Sequence, residues 1–582
     1  RGTYRQTGTL DGSLASRGEA FVLGAVTGDL DFVSGRLTLG EAARIGGTLT
    51  LRQDYAVEAG TVLDAARTVV AQDTRLDLDG RLAGALASEG VVAVSGRGAS
   101  VEGTLTNAGR VDLSGDRRTD GLLTVGGLEG AGGALRLDVD LAEMTADRVV
   151  VRGGAVTGDI RLDLNRTGSG SVSQPGRRVT LLDVDDGFAA GNSFGYSANT
   201  DFAASERIVF SVEQMGQGGD LTLVSQTNPA IGALFGNVAL TQSLIGSVVN
   251  RPSSPFVTGL AFDEPEKPCG AGAWGRAIGG HATAQGATDN GISRVDSQIS
   301  ASYGGMQVGS DLACFDGRAM GWDTAFGVLG GVNQGKTSQP VYAIDGRNSQ
   351  SLSRTLSSIT SAEFTQVYGG LYATATKDRW QADLQVRHER TDFTVSNRAV
   401  GGSGAGLGLD DADFTGTANT VSGSLSYTLA LGEGGGWAVV PTAGFAWSKL
   451  STDPIRFADE FVLRFEDSER KIGFVGGTVA RTYVQPADNT ALNVFATGTV
   501  YKDFADPTVS IFSGSGAEAF DEQRLVSDNL GTYGEVSLGA NYIKVLNEGS
   551  WARQFSTSTR IDVRYGESLD SVGVTGQVRW QF

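Results

Sequence analysis

From about residue 270 to its last residue, the chain alternates apolar and polar side chains over segments of about ten residues. In the final stretch, SVGVTGQVRWQF, Val572, Val574, Gly576, Val578, Trp580 and Phe582 share one side of an extended strand. Gly573, Thr575, Gln577, Arg579 and Gln581 share the other. A soluble terminus is usually polar and frayed, so this pattern calls for one greasy and one wet face up to the last residue. WQADLQVRHE repeats it: Trp380, Ala382, Leu384 and Val386 oppose Gln381, Asp383, Gln385, Arg387 and Glu389. So does FSTSTRIDVRY, where Ile561, Val563 and Tyr565 oppose Ser558, Arg560, Asp562 and Arg564. About twelve such strands begin near residues 270, 298, 319, 364, 379, 415, 436, 469, 491, 530, 554 and 570.

The connections between them are sided. After even-numbered strands they are short (CFDGRA, KDR, GEGGG, QPADN, NEGS); after odd-numbered strands most are long, near 335–363, 396–414, 451–468 and 505–529. Short turns at one end, long loops at the other, aromatic residues at strand ends and an even strand count predict an antiparallel transmembrane β-barrel, apolar outward and polar inward. A soluble β-protein shares the alternation but rarely this asymmetry. Closure also satisfies every backbone group, which hydrocarbon demands.

Two other zones precede the barrel. Residues 1 to about 225 hold short segments such as GRLTLG, GTLTLRQ, TRLDLDGRLAG, GVVAVSG and GDIRLDLN, each three to five alternating residues followed by Gly, Asn or Asp. Their spacing is irregular, about 12 to 19 residues at first, and each unit is too short to bury a core alone. Stacking into a right-handed β-helix is the expected solution, with a β-sandwich as the alternative. The 85 glycines fit many tight turns. NPAIGALFGNVALTQSLIGSVVN (228–250) is different: Asn228 suits an N-cap, Pro229 a first helical position, and Pro252 closes the segment. It is uncharged and long enough to span a bilayer. Asn237, Thr241, Gln242 and Ser243 dilute its hydrophobicity, so a helix sheltered inside protein is predicted. The fold class expected is therefore all-β apart from one lumenal α-helix: a β-solenoid stalk, the helix, and a 12-stranded barrel.

Composition excludes several chemistries. The net charge of −19 argues against a nucleic-acid partner. His281, His388, Cys269 and Cys314 are the only residues of their types, and none precedes residue 269. Histidine- or cysteine-based hydrolysis and zinc ligation thus have no parts in the N-terminal half. No cofactor or metal is called for. DVDDG (183–187) lacks the spacing and distal Glu of a calcium loop and reads as a turn. Cys269 and Cys314, both expected at one rim, suit a disulfide in an oxidising compartment. His388 falls on the lipid-facing parity and reads as structural. The charges at Arg387, Glu389, Arg560, Asp562, Arg564 and Arg579 would line the pore, touching the helix or passenger or simply forming a solvated wall.

The order solenoid, helix, twelve strands, terminal Phe resembles the monomeric (type Va) autotransporters of Gram-negative bacteria over essentially the whole chain. GGALRLDVDLAEMTADRVVVRGGAVTGDIRLDL, with Leu141, Asp147 and Val149 to Val151, resembles their pertactin-type junction, or autochaperone. The resemblance implies passenger solenoid over 1–120, junction over 121–227, lumenal linker over 228–252 and translocator over 253–582. It implies an outer-membrane monomer bedded in lipid and lipopolysaccharide, delivered by periplasmic chaperones and the barrel assembly machinery. Val578, Trp580 and Phe582 resemble the signal that machinery reads. The implied activity is export of the chain's own N-terminal part to the cell surface, without catalysis. Alternatives are an adhesin facing a host or neighbouring cell, with the barrel only an anchor, or a secreted enzyme whose catalytic domain precedes Arg1, a residue that suggests a processed or truncated start. A simple diffusion porin is a weaker third. Some members cut themselves at adjacent asparagines in this helix; Asn228, Asn237 and Asn250 include no adjacent pair, which argues against self-cleavage here.

Overall fold

The computed structural model describes residues 3–168, 175–189, 192–198, 208–215, 219–250, 272–290, 294–345, 348–400, 407, 409–431, 436–457, 461–514, 522–546 and 550–582. It divides into two compact units, Arg1–Thr227 with Ile344–Ser351, and Asn228–Ala343 with Leu352–Phe582.

The N-terminal unit is a stack of short, mostly parallel strands, a β-helix. Thr9 pairs with Ala25, Arg44 with Asp64 and Arg81 with Ser100, so one coil takes 16, 20 and 19 residues. Further along, Leu128 pairs with Val156 and Ile160 with Phe194, coils of 28 and 34 residues. The sequence segments are thus parts of longer coils, several strands to each. Leu49, Leu76, Leu105, Leu135 and Leu162 point inward and are fully buried. Corners need glycine where coils touch: a Cβ on Gly109 would fall within 3.0 Å of the Gly90 carbonyl oxygen. Asp147 is buried and accepts from the backbone amides of Gly121 (2.9 Å) and Asp138 (2.8 Å). The far end of the stack turns antiparallel, with Asp220–Thr227 between Ile208–Met215 and Arg178–Val184.

The second unit is a closed antiparallel barrel. Its strands are β1 (Gly272–Asp289), β2 (Arg294–Ala319), β3 (Trp322–Asp345), β4 (Asn348–Lys377), β5 (Trp380–Ala399) and β6 (Leu409–Tyr427). They continue as β7 (Trp437–Thr452), β8 (Ser468–Gln485), β9 (Thr490–Asp503), β10 (Thr532–Val545), β11 (Gln554–Gly566) and β12 (Leu569–Gln581). The seam runs from Gly272 opposite Gln581 to Ala284 opposite Leu569. Side-chain parity divides the wall. Leu384, Val386, Ile561, Val563, Val572 and Val574 face out, while Gln385, Arg387, Glu389, Asp562 and Arg564 are buried inside.

Two features differ from the sequence reading. The long connections are largely strand: β3 continues to Asp345 and β4 begins at Asn348. The segments 451–468 and 505–529 contain Ile455–Phe457, Phe461–Phe465, Thr508–Gly514 and Gln523–Ser527. Phe461–Phe465 pairs with Thr508–Gly514, that strand with Gln523–Ser527, and this last with the end of β1. A second tier of wall thus stands above the barrel strands. The inner face is also not uniformly polar, because Phe364, Tyr368 and Tyr372 on β4 point inward. Each lies over a glycine of β3: a Cβ on Gly335, Gly331 or Gly327 would sit under 3.0 Å from the respective ring. Glycine here gives room for an aromatic ring rather than a turn.

The wall predicts a depth-dependent cost. Val574→Arg, in the middle of β12 and facing lipid, is expected to lose about 2–4 kcal/mol. Thr575→Ser on the inner face is expected to lose less than about 0.5 kcal/mol. Urea unfolding in phospholipid vesicles measures both; equal losses would contradict the assigned faces.

Candidate functional site: the occupied lumen

One helix fills the barrel. α1 runs from Pro229 to Leu244, and a π-helical turn, Ile245–Val249, extends it. The side-chain oxygen of Asn228 accepts from the amide of Ala230 at 2.9 Å, and Pro229 sits in the first turn, where no amide hydrogen is needed. The 21 residues span roughly 30 Å at ~1.5 Å each. Every residue of α1 is buried, with no exposed stripe. Such a helix belongs inside something.

Its two halves meet different walls. Ile231, Leu234, Phe235 and Val238 join an apolar cluster with Phe364, Phe393, Phe414, Phe461, Phe512 and Leu525. The rings of Phe393 and Phe414 stack at 5.0 Å. Several of these residues come from the upper tier, so the end far from the short turns closes as a greasy collar around the start of the helix.

Below the collar the contacts are polar. Thr337 donates to the Asn237 side-chain oxygen at 3.0 Å, and the Gln242 amide donates to Thr452 at 2.8 Å. Arg470, buried on β8, donates to the Gln242 carbonyl (2.6 Å) and to Ser243 Oγ (3.1 Å). That places a cation against the carbonyl end of α1, where the α-helix gives way to the π-turn, a position the helix dipole favours. The Asn250 amide donates to Glu389 at 3.0 Å and its oxygen accepts from Asn333 at 3.1 Å. Glu389 also accepts from Gln366 (3.0 Å) and ion-pairs with Arg387 (3.0 Å). A carboxylate and the Asn333 amide therefore grip the last residue of the helical segment, and Gln366 braces both of them.

The remaining inward charges pair within the wall. Arg560 meets Asp562, Arg564 meets Glu535, and Arg579 meets Asp311, each at 2.8 Å. At the short-turn end Val578 pairs with Thr557, and the Trp580 ring lies 5.6 Å from Phe555. The exposed Phe582 lies 5.7 Å from Trp551. His281 and His388 are exposed on the outer face beside Ser302 and Asn419. Asp183 and Asp185 face Arg152, and among the described residues no acidic, His or Cys cluster suits a metal. Cys269 and the side chain of Cys314 lie outside the described residues; the Cys314 backbone is in β2 opposite Ala325, before the turn. Sequence reasoning did not single out Arg470, Asn333, Gln366 or Thr337. The only signal is inward parity on strands whose inner faces mix Gly, aromatic and polar residues.

Residues 273–544 match the family model described as "Autotransporter beta-domain". This barrel is an autotransporter β-domain. No curated protein gives a significant match. Among solved structures, the transport unit of the autotransporter AIDA-I from Escherichia coli is 13% identical, with TM-score 0.41, covering 60% of this chain and 99% of that one. The β domain of the Bordetella autotransporter BrkA is 16% identical, with TM-score 0.38, covering 54% and 100%. The translocator domain of NalP from Neisseria meningitidis is 13% identical, with TM-score 0.33, covering 54% and 89%. The assignment rests on the family match and the barrel's own geometry. The barrel therefore resides in the outer membrane, with the N-terminal part of the chain at the surface as its passenger, and the β-domain is not itself a catalyst.

The grip on Asn250 is testable. Glu389→Ala strands the buried Arg387 charge and frees two amides, with an expected cost of about 3–5 kcal/mol. Glu389→Gln, which keeps an acceptor, should cost less. Chemical unfolding of the full chain in detergent measures both; a loss below about 1 kcal/mol for Glu389→Ala would remove this network from the account of helix retention.

Proposed function

We propose that the barrel exports its own N-terminal part through the lumen and then anchors it, and that the segment 228–250 stays behind as a plug. The observation carrying this reading is the burial of the whole linker helix inside the closed wall, with its first residues at the end opposite the short turns. Short turns belong to the periplasmic side of such barrels, so chain N-terminal to Asn228 leaves on the outside. No ATP site is needed. Coils that stack outside bury Leu and Val rows and make return of the chain unfavourable.

On this reading, residues 1–120 are passenger solenoid and 121–227 the junction from which folding starts. Residues 228–252 are the linker and 253–582 the translocator. The buried Asp147, bonded to two backbone amides of separate segments, gives the junction a fixed internal strut and supports that division. Delivery by periplasmic chaperones, recognition of Val578, Trp580 and Phe582 by the barrel assembly machinery, and a monomeric state belong to the same proposal. We also read residues 1–227 as non-enzymatic, a stalk or adhesive surface.

Two measurements test the proposal. Protease added to intact cells should remove residues 1 to about 227 while 272–582 survive; protection of the N-terminal part would refute export. In planar bilayers the full chain should conduct poorly, and deletion of 228–250 should raise single-channel conductance by about tenfold or more, since a helix ~10 Å across is removed from the lumen. An unchanged conductance would refute the plug.

A further inference from the structure

The seam between β1 and β12 is the last pairing needed to close the cylinder, and it is poorly specified by its own side chains. The outward face of β1 reads Ala273, Gly275, Ala277, Gly279, His281 and Thr283, mostly small residues, opposite Trp580, Val578, Gly576, Val574, Val572 and Asp570 of β12. Gly280 stands directly opposite Gly573. Small and glycine-rich strands hold register weakly. A slip of one residue would turn Arg579 toward lipid and is disfavoured on that ground. A slip of two keeps every side chain on its proper face, so two-residue slips are the competitors to exclude.

One buried cluster distinguishes the observed register from those. Asp311 of β2, with 2% of its side chain exposed, ion-pairs with Arg579 of β12 at 2.8 Å. The same carboxylate oxygen accepts from the amide of Gly272, the first residue of β1, at 2.9 Å. Its other oxygen accepts from the Tyr372 hydroxyl at 2.5 Å, and Trp274 Nε1 donates to that hydroxyl at 3.2 Å. One carboxylate therefore joins the first strand, the last strand and the wall at β4. β2 lies beside β1, not beside β12, so its contact with Arg579 reaches across the seam. A two-residue slip would carry Arg579 about 7 Å along the strand, out of ion-pair range. Buried ion pairs add little net stability, but fixing register is their best-attested use.

We propose that Asp311 is the positioning residue that sets the register of barrel closure, with Arg579 as the group it selects. The proposal rests on the closed wall and is independent of the export reading. The test is oxidative cross-linking in full chains inserted in membranes, with Cys269 and Cys314 replaced by Ser. Ala277→Cys with Gly576→Cys reports the observed register, since these residues face each other on the outer side and the space at Gly576 is open. Ala277→Cys with Val574→Cys or with Val578→Cys reports the two slips. With Asp311 intact, the first pair dominates. Asp311→Asn, which keeps the shape, and Arg579→Met are each expected to raise the slipped share about tenfold or more. Arg579→Lys should stay in register. Unchanged ratios in Asp311→Asn and Arg579→Met would overturn the proposal. So would a lower yield of closed barrel with the register ratio unchanged, because that is the mark of a merely structural role.

Discussion

A hydrocarbon bilayer offers backbone amides and carbonyls no water, and everything in the second unit answers to that. A sheet can satisfy them only by closing on itself. Closure with about eight strands leaves an interior that side chains alone can fill; twelve leave room for something the width of a helix. The wall thereby creates the vacancy that Pro229–Val249 occupies. Wall and helix are two halves of one packing problem.

The lumen solves that problem in two materials. At the outer end, rings and aliphatic groups dominate the contacts with an uncharged helix. Toward the other end, amides, hydroxyls and a few charges take over, several of them bonded to the helix. Arg470 faces the Gln242 carbonyl and the Ser243 hydroxyl, and Glu389 holds both Asn250 and Arg387. Contacts of this kind contribute modest net energy, since desolvation offsets much of the attraction. They define position: the helix has one height at which all of them are made.

The sequence made the wall legible because a β-strand repeats every two residues and the bilayer rewards that repeat on every strand. Leu384, Val386, Ile561 and Val563 declared the outer face without help from context. Asn228 and Pro229 likewise fixed where the helix starts, through local cap chemistry. Less was visible where function depends on groups distant in the chain. Phe364, Tyr368 and Tyr372 look like girdle residues until Gly335, Gly331 and Gly327 on the neighbouring strand are seen to make room for them inside. Arg470 is one cation on a strand bearing Lys471 and Glu469, and nothing local says which of them is buried. The long connections looked like loops because strand standing clear of the bilayer needs no lipid-facing alternation. Each of these is a pairing between segments, and a single strand's pattern carries no record of its neighbour.

The all-round burial of α1 has a further implication. An amphipathic linker would be content at many surfaces, but this one has every side buried, its few polar groups included. Were it drawn clear of the cylinder, it would expose a rod of Ile, Leu, Val and Phe to the medium. On the proposed route outward the chain thus carries its own brake, since this is the segment that loses most by leaving the wall.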